Sequence, residues 1–122
     1  MSSAAAQAYA RIANTTSSAR DIEAQALMKA ANKLHDVMTN ADASYAQAFE
    51  ALMFNRKLWS IFLSEAQRDT NPQPLEVRQN IANIGIFVMT ETFSLMTNPR
   101  PAQLVPLINI NRELAAGLRG NG

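Results

Sequence analysis

Residues Gln47 to Arg68, QAFEALMFNRKLWSIFLSEAQR, form the longest unbroken helical pattern of the chain and contain its only tryptophan. At about 100° per residue, Ala48, Ala51, Leu52, Phe54, Leu58, Trp59, Ile61, Phe62, Leu63 and Ala66 occupy one apolar arc of roughly 200°. An arc that wide demands cover from more than one side, which makes this helix the centre of the fold. Arg56, Lys57, Ser60, Ser64, Gln67 and Arg68 fall on the opposite, wet face. Asn55 projects at the middle of the apolar arc, where an amide buried without partners costs about 1–3 kcal/mol, so it is expected to be hydrogen-bonded. Phe49 and Met53, one turn apart, project the other way. They are expected either to be covered by a neighbouring segment or to await a partner.

On the N-terminal side, Ala4 to Ala13 predicts a short, alanine-rich helix carrying Tyr9 and Ile12. Asn14 to Ser18 reads as a loop, because these side chains compete for backbone hydrogen bonds, and Ser18 with Asp21 reads as a helix start. The second helix places Ile22, Ala26, Ala30, Leu34 and Val37 near one face, with Leu27, Ala31 and Met38 beside it. It stops near Thr39-Asn40, and Asp42 or Ser44 caps the central helix after a tight turn, which implies an antiparallel pair.

On the C-terminal side, Asp69 to Pro74 is a break, and Pro74 suits the first position of the next helix. From Leu75 to Met96, one apolar row runs Val77, Ile81, Ile84, Val88, Leu95 and a second Leu75, Ala82, Ile86, Met89, Phe93, Met96. Two rows predict a helix lying deep. Gly85, at about 1 kcal/mol relative to alanine, predicts close approach of the central helix near Trp59. After Thr97 to Pro101 the last helix begins either at Pro101, kinked at Pro106, or near Val105. Its buried face is Leu104, Leu107, Ile108, Asn111, Leu114, Ala115 and Leu118, with Ile110 beside it. Gly117 and Gly120 provide the stop. No segment alternates with period two, so the expected fold is all-α: a compact bundle of four main helices plus a short N-terminal one. A single domain spans 1–122, with 1–17 as N-terminal helix and loop and 119–122 as a loose tail.

The totals exclude more than they assign. The 122 residues are 48% apolar and carry a formal net charge of +1, too little for the overall field to point to nucleic acid. No apolar run nears the roughly 18 residues of a membrane span, and no secretory signal opens the chain. The absence of cysteine removes disulfides and thiolate ligands, as suits the cytoplasm. His35, the sole histidine, reads as a polar surface or interhelical residue. With Asp36 and Asp42 it makes a poor metal set. Glu91 reads as an exposed or ion-paired acid on an apolar helix. No glycine-rich phosphate loop exists, and neither a cofactor nor an enzymatic reaction is expected. Arg56, Lys57 and Arg68, like Arg112 and Arg119, suit a solvated bundle face. The methionines suit core filling, with Met53 the exception.

Several phrases in order resemble the FlaF family of flagellar biosynthesis regulators. They are Gln7-Ala8-Tyr9-Ala10, Ala19 to Ala24, Leu27 through Leu34, Ala51-Leu52, Asn55, Lys57-Leu58-Trp59, Asn71-Pro72, Ile84-Gly85, and Leu107 to Asn111 ending at Gly117-Leu118. The chain departs at Glu65-Ala66, where many relatives have an acid and a leucine, and at Phe87-Val88, where many have tryptophan before valine. The expected structural core motif is Leu52, Asn55, Leu58, Trp59, Phe62, Ile84, Gly85, Ile108 and Asn111. The resemblance implies a cytoplasmic, non-enzymatic factor that promotes flagellin synthesis or secretion and acts opposite the translation regulator FlbT, with flagellin as its direct partner. The alternative it implies is a post-transcriptional regulator acting with FlbT on flagellin messenger RNA. No motif assigns the contact residues. The helical wheel nominates Phe49, Met53, Arg56 and Lys57 as an apolar and basic patch for a helical partner, and Tyr9 and Ile12 of the N-terminal helix as a second.

Overall fold

The computed structural model describes the backbone of residues 4–120, and side chains at 4, 5, 7 and 20–120. It holds four α-helices: α1 (Ala4–Thr39), α2 (Tyr45–Ala66), α3 (Leu75–Thr97) and α4 (Val105–Leu118), with a short 3-10 turn at Pro101–Leu104. The separate N-terminal helix is not seen. Asn14 to Ser18 lies inside α1, a single helix of 36 residues, so no helix starts at Ser18. No glycine or proline falls between Ala4 and Thr39. Serine, threonine and asparagine each cost only about half a kcal/mol against alanine in a helix interior, which the alanines and leucines on either side offset.

A tight turn then reverses the chain. Ser44 caps α2 with a complete capping box: its hydroxyl accepts from the Gln47 amide at 3.1 Å, and the Gln47 side chain accepts from the Ser44 amide at 2.8 Å. Helix α4 lies against α1, α1 against α2, and α2 against α3, with the 3-10 turn closing on α1 and α4. The core is where these meet: Leu27, Ala31 and Leu34 of α1, Leu52 and Trp59 of α2, Val88 and Leu95 of α3, and Leu104, Leu107, Ile108 and Ala115. Phe62 packs its ring edge-on to Trp59, centroids 5.6 Å apart. The α1–α2 seam is closed at its rim by Lys29 and Lys33, whose ammonium groups lie 5.4 and 5.3 Å from the centre of the Phe54 ring.

Of the two expected starts of the last helix, the structure has the second: α4 begins at Val105 with Pro106 in its first turn, and no α-helix kinked at Pro106 runs from Pro101. Pro101 opens the 3-10 turn and Pro106 sits in the first turn of α4, where its missing amide leaves no bond unmade. Helix α4 passes through Gly117 and stops beyond Leu118, where Gly120 takes φ 76° and donates to the Gly117 carbonyl. Pro74 falls one position outside α3, which starts at Leu75.

Helix α3 does not lie deep. Only Gly85, Val88, Thr92 and Leu95 are buried, because α2 is its principal neighbour and covers one side alone. Leu75, Val77, Ile84, Ile86, Phe87 and Phe93 all remain exposed. Ile84, expected in the core beside Gly85, is 41% exposed. Gly85 itself does face α2, although side chains rather than backbone approach it. A Cβ there would stand 3.2 Å from Leu63 Cδ1 and 3.6 Å from Trp59 Cε3.

A candidate partner-binding surface

A relay of buried polar groups ties α2 to α4. The Trp59 indole can only donate, so the Asn111 amide must turn its oxygen toward it, at 2.8 Å. That leaves the Asn111 nitrogen facing Asn55, whose oxygen accepts at 2.7 Å. All three side chains are fully buried, and the chain of bonds ties α2 to α4. The bond expected for Asn55 is thus formed through its oxygen; its own nitrogen has no hydrogen-bond partner among the described residues.

On the outer side of α2, Tyr45, Ala46, Phe49, Glu50 and Met53 line an open, apolar depression. Phe49 is 38% and Met53 37% exposed, so each keeps more than a third of its surface open. Tyr45 stacks on Phe49, ring centroids 6.1 Å apart, and its hydroxyl donates to the Met96 carbonyl at 2.6 Å. Arg56 and Lys57 are exposed beside them, and Glu50 is drawn toward α1 by Lys33 at 3.6 Å. The four residues nominated on α2 are therefore on the surface together. Tyr9 and Ile12 fall outside the described side chains. Of the structural positions, Leu52, Asn55, Trp59, Gly85, Ile108 and Asn111 are buried and Leu58 and Phe62 half-buried.

The surface continues onto α3, which the sequence reading missed. Three anchors fix the two helices as antiparallel: Tyr45 on Met96, Leu63 at Gly85, and the Arg78 guanidinium donating to the Ala66 carbonyl at 2.9 Å. In that register Phe93 comes level with Phe49, Met89 with Met53, and Ile86 with Arg56. At 100° per residue the α3 row turns away from the core on the same side as the α2 patch. Ile86 is 55% and Phe93 65% exposed, and Met89 is half-buried. A sign was available in the sequence: Arg78 and Glu91 enclose twelve successive uncharged positions.

A second concavity, about 490 Å³, opens where Phe62, Val77, Ile81, Leu114 and Leu118 meet Arg20, Glu23 and Glu65. The other nominated polar groups are dispersed. Arg68 is held by Glu65 at 3.0 Å, Arg112 and Arg119 are exposed on α4 and just past its end, and Glu91 is half-buried without an ion pair among the described residues. Among the described residues no group of three or more His, Asp or Glu side chains could hold a metal ion, and no helix is long and apolar enough to cross a membrane.

No curated protein and no solved structure matches this sequence. A family model described as flagellar protein FlaF matches residues 5–118, nearly the whole bundle from the first turn of α1 to the last of α4. The chain therefore belongs to the FlaF family of flagellar proteins.

Proposed function

We propose that this chain is a non-enzymatic flagellar regulator that promotes flagellin synthesis or secretion by binding flagellin as a cytoplasmic export chaperone, acting opposite FlbT. The observation that carries the reading is the exposed apolar surface on α2, where Tyr45, Phe49 and Met53 are partly open to solvent beside Arg56 and Lys57. Large apolar side chains held on a helix suit a helical segment of another protein. An RNA-binding regulator working with FlbT would instead present basic groups around a stacking or phosphate-tracking groove, and the centre of this surface is apolar. The test is to mix the purified protein separately with flagellin, FlbT and a flagellin leader RNA and to follow co-elution. Flagellin is expected to co-elute, and Phe49→Ser with Met53→Ser is expected to abolish it while circular dichroism stays helical. Co-elution with RNA alone would overturn the reading.

A further inference from the structure

We infer that the seam between α2 and α3 is a groove for one amphipathic helix whose flank is acidic. The inference rests on the reading of the chain as a partner-binding protein and names the chemistry of the segment held. Two rows form the groove: Phe49, Met53 and Arg56 on α2, and Phe93, Met89 and Ile86 on α3, brought level by the antiparallel register. Phe49, Met53, Phe93, Met89 and Ile86 make its floor apolar, with Arg56 at one end. An occupant must therefore present a row of large apolar side chains at i, i+3, i+4 and i+7, the spacing of one helix face.

Charge decides what stands beside that row. Arg56 is on the rim and Lys57 follows it, both exposed, while Arg68 is already paired with Glu65. Glu50 borders the same depression but reaches to Lys33 of α1 at 3.6 Å, and Glu91 lies on the flank of α3 opposite to Phe93, so the rim carries two exposed bases against one acid that is already paired. A helix with glutamates or aspartates beside its apolar row pairs with Arg56 and Lys57. A helix with basic flanks meets Arg56 and Lys57 as like charges and finds one acid, Glu50, already shared with Lys33.

The probes are two synthetic helices of about 18 residues, roughly five turns, sharing one leucine and phenylalanine face and flanked by glutamate in one and lysine in the other. Fluorescence anisotropy with the full chain is expected to show the acidic peptide binding at least about tenfold more tightly. Phe93→Ser or Ile86→Ser should abolish that binding with the helical spectrum intact, since both sites are exposed, and Arg56→Glu should reverse the preference. Equal binding of the two peptides, binding untouched by the α3 substitutions, or a dimer seen by light scattering that the α3 substitutions dissolve would overturn the groove. If flagellin binds but neither peptide does, the groove is wrong and the chaperone reading stands. If the acidic peptide binds and flagellin does not, the reverse holds.

Discussion

At the scale of single residues, the Trp59–Asn111–Asn55 relay is the most informative part of the molecule, because its three members are unequal. Asn111 has both ends of its amide engaged, whereas Asn55 has only its oxygen engaged. Replacing Asn111 with leucine strands the indole N–H and the whole Asn55 amide in a fully buried site. At about 1–3 kcal/mol per stranded group, the substitution should cost about 3 kcal/mol. Asn55→Leu strands only the Asn111 nitrogen and removes a donor that is already unpartnered, so it should cost distinctly less. Urea titration followed by Trp59 fluorescence gives both values. An Asn55→Leu variant as unstable as Asn111→Leu would mean that the relay does not hold the helices in the way described. The need for a bond at Asn55 was legible from its place in the apolar arc. Its partner was not, since Asn111 lies 56 positions away and nothing local marks the pair.

At the scale of elements, the start of α2 is legible locally, whereas the continuity of α1 and the cover of α3 are not. The start of α2 is a local matter: Ser44 and Gln47 satisfy each other's backbone amides whatever surrounds them. Ser44→Ala removes the acceptor for the Gln47 amide and should lower stability by about 1 kcal/mol, and Ser44→Gly by only a few tenths. The check is a shift in the urea midpoint with an unchanged slope. Equal losses for alanine and glycine would assign the effect to something other than the cap. The continuity of α1 through Asn14 to Ser18 shows the limit of such local signals, since weak helix formers do not stop a helix when no glycine or proline intervenes. Helix α3 shows a second limit. Its two apolar rows specify which faces need cover but not whether this chain supplies it. The structure covers the Val88 and Leu95 side and leaves Ile86 and Phe93 bare. The half of the candidate surface that lies on α3 was hidden for that reason.

At the scale of the whole molecule, a net charge of +1 leaves little long-range field, so on the proposed reading a partner would be held by the local contents of the α2–α3 face. The salt dependence of binding follows from those contents. Burial of Phe49, Met53, Ile86 and Phe93 against an apolar row is insensitive to screening, while ion pairs made by exposed Arg56 and Lys57 contribute about 0.2–1 kcal/mol each and fade as salt rises. Flagellin affinity should therefore fall by no more than about tenfold between roughly 50 and 500 mM salt. It should also carry the negative heat-capacity change of apolar burial. With Arg56 and Lys57 both changed to glutamine the remaining affinity should be nearly flat over that range. An RNA complex would behave differently, because each phosphate neutralised releases counterions, with a slope of about −0.7 per contact in log affinity against log salt. Isothermal titration at three salt concentrations separates the two. A loss of about a thousandfold on raising salt, for flagellin as for RNA, would mean that charge rather than the apolar row holds the partner.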